Sequence, residues 1–368
     1  MLSLASAGHL YPRSGAGDRQ QASDESLPRY LVVRRGDLVI NPMWLTGGSL
    51  AVSDRDGAVS PDYRVFGPTT SVWPRFLHHL LRSEPYRRQY DLYIRANTTF
   101  DRRIQQIDLD NMPISIPDLA QQRRIAQFLD DQVSRIDNIV AARGAQIERV
   151  QQYRDEVIRR CVGGGMPVET ADLSALGRGP IPRGWLLSRV SMLVRLKSGE
   201  AIDSEDIGDV GPVPVYGANG LRGYSTSSTH SGLHCLIGRQ GALCGNVQVV
   251  RGEFWASEHA IVCSPIAEFN TQWFAWLLRS MNLGQHSMAA AQPGISASTV
   301  ARLRIPVPPP SAQSAIGREV ESLELASAER VTNLRRSAQL LTEYKHSLVT
   351  AAVTGQFDVT TASTEVPA

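Results

Sequence analysis

A stretch of this 368-residue chain occurs twice, and that repeat limits what the chain can fold into. Residues 114–164 align with 305–355 at a constant offset of 191 and without a gap. Ile114, Pro117, Gln122, Ile125, Val140, Tyr153, Val162 and Gly164 recur as Ile305, Pro308, Gln313, Ile316, Val331, Tyr344, Val353 and Gly355. Both copies carry apolar residues at alternating three and four spacing, the mark of a helix with one buried stripe. In the first copy the stripe is Leu129, Val133, Ile136, Val140, Ile147, Val150, Val157 and Cys161. In the second it is Val320, Leu323, Val331, Leu334, Ala338, Leu341, Leu348 and Ala352. Prolines stop helix upstream of each copy, at Pro117 and at Pro308 to Pro310, and glycines close each one. A run of about 42 residues between such limits makes a helix on the order of 60 Å long. Two rods of that length with matching stripes are expected to pack on each other rather than each inside its own domain.

Two blocks remain, and their texture differs. Short β-rich runs at 30–33, 37–40, 235–237, 247–250 and 259–262 alternate with glycine and turn residues, and each block adds an aromatic helical stretch, 73–83 and 271–281. The blocks echo one another: residues 36–40 resemble 233–237, and 59–63 resemble 255–259. The fold class is α+β: two globular mixed α/β blocks separated by two long helices. A hydrophobic fraction of 42% with 20% charged residues supports folded cores. No apolar run reaches the roughly 18 residues of a membrane span, so a soluble, cytoplasmic protein without membrane contact is expected. Cys161, Cys235, Cys244 and Cys263 form no C-x-x-C pair, which argues against zinc modules and a disulfide framework.

Catalytic chemistry is hard to find, and neither a metal nor a cofactor is expected. His78 and His79 are neighbours on a helix and point apart, a poor metal site. Asp130 and Asp131, with Glu319, Glu321 and Glu324, are placed on the solvated faces of the long helices. Asn41-Pro42-Met43-Trp44 resembles the signature of adenine-specific DNA methyltransferases, but no glycine-rich cofactor loop precedes it. Gly238-Arg239-Gln240-Gly241 sits on a turn after a strand with Asn246 close behind, and Arg, Gln and Asn are the side chains that pair with base edges. Net charge is small, with 38 basic against 36 acidic residues, and only Lys197 and Lys345 are lysines. The excess lies on the blocks, 14 against 12 over residues 1–117 and 11 against 8 over 178–304. Any nucleic-acid affinity must therefore come from local clusters or a more basic partner.

Two globules alternating with two near-identical rods resemble the specificity subunit of a type I restriction-modification enzyme. The likeness rests on Pro182-Arg183-Gly184-Trp185, on residues 214–220, on Ile237 to Gly241, on 305–310 with Gln313 and Ile316, and on 114–127. It implies a non-catalytic reader of double-stranded DNA. Each globule would be a target recognition domain for one half of a split, asymmetric site. The rods would pack as an antiparallel coiled coil, hold the globules apart and bind two methyltransferase subunits, with the restriction nuclease-translocase subunit joining that core. The implied base readers are Arg239, Gln240, Asn246, Asn219, Arg222 and Lys197, with Arg34, Arg35 and Asn41 in the first globule. The implied partner contacts are Ile125, Ile136, Val150, Tyr153, Ile316, Leu334, Leu341 and Tyr344.

The expected layout is a disordered or non-native lead-in at 1–26, a first recognition domain at 27–117, a first rod at 118–163, a linker at 164–179, a second recognition domain at 180–307, a second rod at 308–356 and a flexible tail at 357–368. Moving the Pro182 to Trp185 opening back by 191 places it before Met1, so the first domain is expected to be shortened, with an exposed sheet edge. Two other readings compete. One is a coiled-coil protein adaptor without DNA reading; the other is a self-sufficient adenine methyltransferase using Asn41 to Trp44.

Overall fold

The structure is a computed structural model that describes residues 1–5, 8–13, 27–94, 103–164, 182–241, 243–287 and 294–360. It divides into two compact units, residues 1–145 with 334–368 and residues 146–333, and both divisions fall inside the two long helices.

The first unit opens with β1 (Leu2–Leu4) and β2 (Leu10–Pro12), an antiparallel pair. Then come β3 (Leu31–Val33), β4 (Leu38–Ile40), β5 (Leu50–Val52), β6 (Gly57–Val59) and β7 (Arg64–Phe66). β3 pairs with β6, and β4 lies between β5 and β7, all antiparallel. Helices α1 (Pro74–Arg82), α2 (Glu84–Tyr90) and α3 (Gln106–Asp110) follow, and then the long α4 (Leu119–Gly163). Alternate residues of β4 face opposite ways: Leu38 and Ile40 join Phe76, Leu80 and Tyr90, whereas Val39 joins Val33, Ala51 and Val59. Leu2 and Leu10 are buried in that second cluster. The expectation of a disordered lead-in is thus corrected for residues 2–4 and 10–12, whose alternating leucines cover an apolar sheet face. Residues 14–26 of that lead-in lie outside the described residues.

The second unit holds β8 (Leu186–Arg189), β9 (Val194–Ser198), β10 (Val213–Gly217), β11 (Gly220–Ser225), β12 (His230–Gly238), β13 (Val247–Ala256), β14 (Ala260–Pro265), α5 (Thr271–Ser280), α6 (Ala297–Arg302), β15 (Arg304–Val307) and the long α7 (Pro310–Val353). Six strands form one sheet in the order β11-β10-β13-β12-β14-β9, and β15 pairs with β8. One face of the sheet, through Cys235, Ile237, Val247 and Ile261, packs on Trp273, Phe274 and Leu277 of α5. The other buries Leu236, Val250, Phe254 and Val262. Burial raises the Cys235 thiol to about 12 and lifts Cys263 as well, so both behave as apolar core groups.

The central strands of the two units share one register. Leu38 faces Val52 and Phe66, and Cys235 faces Val249 and Cys263, each second-unit number being the first plus 197. The same offset carries the Val33–Gly57 pair onto His230–Phe254. It matches Val59 to Ala256, one residue from the sequence echo, and both side chains are fully buried.

The long helices repeat just as closely. At the start of α4 the buried Gln122 accepts the Trp73 N–H at 2.8 Å and donates to the carbonyls of Pro117 and Ser71. Its repeat partner Gln313 accepts the Asn270 N–H at 2.7 Å and donates to the Pro308 carbonyl. Trp73 and Asn270 are the N-caps of α1 and α5, so each long helix is riveted to the aromatic helix of its globule. Leaving such a buried amide N–H unpaired costs about 1–3 kcal/mol. The helices end alike too, followed by the left-handed Gly164 (φ 62°) and Gly355 (φ 74°), where a Cβ would be strained.

Within each unit the two helical segments run antiparallel. In the first, Phe128 lies against Phe357 and Lys345 pairs with Asp137 at 2.5 Å. In the second, Arg154 pairs with Glu324 at 3.4 Å, and Cys161 lies near Glu319. The stripe is deepest near the globules, where Leu129, Ile136, Val320 and Ala352 are buried. Asp130 departs from the solvated role expected of it: its carboxylate takes Arg75 at 2.8 Å and His79 at 2.7 Å, tying α4 to α1. The flexible tail is corrected at its start, since Phe357 and Val359 pack on the first unit's core. Residues 361–368, and 165–179 of the expected linker, lie outside the described residues.

Candidate nucleic-acid interface

The polar loops of the second unit gather at one end of its sheet. After β12 the chain makes the loop Gly238 to Asn246, closed by the Gly238 N–H donating to the Asn246 carbonyl and the Gly245 N–H to the Gly238 carbonyl, both at 2.8 Å. The Arg239 backbone is held on both sides, donating to the His259 carbonyl at 2.8 Å and accepting from Ile295 at 2.9 Å. The β10–β11 turn closes directly onto this loop. A Cβ on Gly238 would stand 2.5 Å from the Ala218 carbonyl oxygen, so only glycine permits that approach. His259 Nδ1 lies 3.0 Å from Gln240 Oε1, and its Nε2 lies 3.0 Å from the Glu258 carboxylate. Arg239 directs one guanidinium N–H to the Glu258 carbonyl at 3.5 Å, and its planar fork is otherwise suited to two parallel bonds with one base edge. Asn219, Arg222 and Asn246 are exposed.

The first unit builds the same loop from unrelated residues. Asn41 donates its N–H to the Ser49 carbonyl at 2.9 Å, the counterpart of the Gly238–Asn246 bond at offset 197, and Gly48 matches Gly245 in its left-handed conformation. An arginine of the aromatic helix braces each loop: Arg82 donates to the Gly48 carbonyl at 2.6 Å and Arg279 to the Val247 carbonyl at 3.0 Å. Arg279 also lies over the Trp276 ring, 4.5 Å from its centroid. The sequence held a signal for this brace, because the two arginines stand at the same offset as the matched strands. Asn41 Oδ1 accepts the Met43 N–H at 3.1 Å and so shapes the loop itself, while Trp44 at its tip is 55% exposed.

Arg239, Gln240, Asn246 and Asn219 therefore stand on adjoining loops, while Arg222 lies within β11 with its side chain beside Gly217. Lys197 is not among them: it stands exposed on edge strand β9, opposite Val262. Arg34 and Arg35 lie beyond the other end of β4 from Asn41, with their N–H groups bound to Asp37 and Asp56 at 2.8 Å. On the long helices Ile125 and Ile136 are sealed in the first unit's core, Leu341 packs against that core, and Ile316 packs against the core of the second. The place of Ile125 and Ile136 in a partner-contacting set is corrected, because a fully covered side chain cannot present a face; Ile316 and Leu341 are only partly covered. Val150 and Leu334 are half-buried, while Tyr153 and Tyr344 are 67% and 38% exposed.

His78 and His79 are buried on α1, with rings edge to face at 5.2 Å. Burial holds His78 well below the ordinary imidazole range and lowers His79 too, against the opposing pull of Asp130. Burial acts to raise the Asp130 carboxyl, yet hydrogen bonds from His79 and Arg75 bring it below the usual value. Among the described residues no group of three metal-ligating side chains is assembled, and no helix is long and apolar enough to cross a membrane.

The second unit thus presents a strand-borne loop beside a second turn, on a globule riveted to a long helix. Residues 182–333 match the type I restriction modification DNA specificity domain. An Escherichia coli type I restriction enzyme specificity subunit is 47% identical over 95 residues, 26% of this chain and 24% of that protein. The chain thus spans about a quarter of the length of that curated relative. Among solved structures, one of complex assembly and conformational transition in the type I R-M system covers 88% of this chain and 82% of its own, with a TM-score of 0.73 at 17% identity. The HsdS subunit from Thermoanaerobacter tengcongensis covers 89% and 82%, with a TM-score of 0.57 at 18% identity. Residues 182–333 thus match a type I restriction modification DNA specificity domain, and the chain shares its fold with these structures.

Proposed function

We propose that this chain is the non-catalytic subunit that reads a split, asymmetric site on double-stranded DNA for a type I restriction-modification complex. The observation that carries this is the pair of equivalent loops, 41–49 and 238–246, each set at the end of the same strand in the same register and braced by the same arginine. Arg239 with Gln240, Asn246, Asn219 and Arg222 reads one half-site. Loop 41–49 reads the other, with Trp44 at its tip; Arg34, Arg35 and Lys197, which lie away from the loops, contact phosphate instead. The long helices set the spacing between the half-sites and dock two methyltransferase subunits through exposed positions such as Tyr153 and Tyr344, and the restriction subunit joins that assembly. In this reading the chain acts on chromosomal DNA in the cytoplasm. A methyltransferase role for the chain by itself is disfavoured by Asn41, whose side-chain oxygen is engaged by Met43 and not offered to a flipped base.

Sequencing the methylome of host cells with and without this chain tests the proposal. One bipartite motif should lose its methylation when the chain is removed. An unchanged methylome, together with DNA binding that ignores salt concentration, would favour a protein adaptor.

A further inference from the structure

Gln240 is held by its neighbours on the loop. Its side-chain oxygen Oε1 lies 3.0 Å from His259 Nδ1, and His259 Nε2 lies 3.0 Å from Glu258 Oε1. An amide oxygen and a carboxylate can only accept, so both ring nitrogens must donate and the imidazole here carries both of its hydrogens. Glu258 gives a reason to keep the second proton. Its other oxygen, Oε2, is buried without a hydrogen-bond partner, and a carboxylate sealed in that way calls for a cation on its open side. The backbone fixes the group: the Arg239 N–H donates to the His259 carbonyl at 2.8 Å, and an isolated bridge joins Gln240 to Gly294. The other charged groups at this corner are Arg239, whose guanidinium reaches the Glu258 carbonyl at 3.5 Å, and Arg222 of β11, whose stem lies beside Gly217 next to Ser257. With Oε1 turned to the imidazole, the end of Gln240 left to face outward is its amide NH2, a pair of donors.

Glutamine reads adenine with both ends at once, donating to N7 and accepting from the N6 amine. Gln240 held in this way offers only the first of these. We propose that His259 is a positioning residue that sets the base read by Gln240: with its Nδ1–H on Oε1, the loop takes a base whose edge presents acceptors, guanine or thymine, and rejects adenine. The adenine amine would meet the N–H groups of the amide. Loss of the Nδ1 proton reverses the hold: Glu258 keeps the hydrogen on Nε2, the bare Nδ1 takes an N–H from Gln240, and Oε1 turns outward to accept the adenine amine. The inference rests on the reading of loop 238–246 as a DNA reader.

The test compares methylation motifs in cells whose complex carries the native chain, Gln240→Ala or His259→Ala. Gln240→Ala marks the position that Gln240 reads, where preference should be lost. In the native motif that position should be guanine or thymine. His259→Ala should admit adenine there about tenfold or more above the native level, with the other positions and the spacer unchanged. A merely structural role would instead lower methylation at all sites alike. With the purified native complex and two duplexes differing only at that base, discrimination against adenine should fall as pH rises from about 6 to about 8.5. The same series should be flat for His259→Ala; if that variant fails to assemble, the native motif and the native pH series decide. Adenine or cytosine at that position in the native motif, no gain of adenine in His259→Ala, or pH-independent discrimination by the native complex would overturn the proposal alone. A motif untouched by Gln240→Ala would overturn the reading of the loop itself, and this assignment with it.

Discussion

The hairpin that carries loop 238–246 is continuous, with β12 paired to β13 from His230 to Ile237, whereas its counterpart is cut into two pairs of three-residue strands, β3–β6 and β4–β5. The interruption at Arg34 to Asp37 is locally satisfied, with the Asp37 carboxylate accepting the Arg34 N–H at 2.8 Å. Yet both hairpins deliver their loops at the same register and with the same braces. The difference teaches which parts position a reader: the few residues next to the loop, the arginine of the aromatic helix and the glutamine rivet to the long helix. Strand length and the extra strands β9 to β11 add stability around that arrangement.

The largest effect should come from breaking the helix that both globules share. Val150→Pro removes a backbone hydrogen bond inside α4 and costs about 3 kcal/mol or more. Co-purification with methyltransferase subunits should be lost, and helical circular dichroism should fall. A normal complex from this variant would show that α4 is not the docking element.

The rivets sharpen the comparison. Gln122 makes three hydrogen bonds and Gln313 two, so Gln122→Ala should destabilise the first unit more than Gln313→Ala does the second. Each loss should be about 1–3 kcal/mol, read by urea unfolding with hydrogen exchange near residues 73 and 270. Equal losses would mean that the Ser71 bond contributes nothing.

Acid should separate the units more gently. His78 and His79 are buried with folded values below 6.5, and the matching positions of α5 are Ala275 and Trp276. Unfolding exposes two imidazoles that take up protons, so the stability they lend is complete above about pH 6.5 and declines as pH falls below it. The Asp130 carboxylate, lowered by its partners, adds a loss only at lower pH, below its ordinary 3.8. Hydrogen exchange at pH 7 and pH 5.5 should show the first unit loosening more than the second; equal loosening would contradict this.

Much of the architecture was legible because the repeat is long and its stripe periodic. The rods were placed to within a few residues at their ends, and Arg239, Gln240, Asn246 and Asn219 lie on adjoining loops. The β1–β2 hairpin was not legible: Leu2, Leu4 and Leu10 sit in a stretch whose serine, alanine and glycine content reads as coil. Charge alone could not say where along a strand Arg34, Arg35 and Lys197 stand. Asp130 looked like any surface acid on a helix, because its partners Arg75 and His79 are 55 and 51 residues away in sequence.

The central claim is that two equivalent loops read two halves of one site. Methylome sequencing of cells carrying Arg239→Ala, and separately Trp44→Ala, tests it most directly. Arg239→Ala should alter or weaken methylation governed by one half of the motif and Trp44→Ala by the other, with the spacer between the halves unchanged in both. If both variants changed the same half, or altered the spacer, the equivalence of the loops would be refuted.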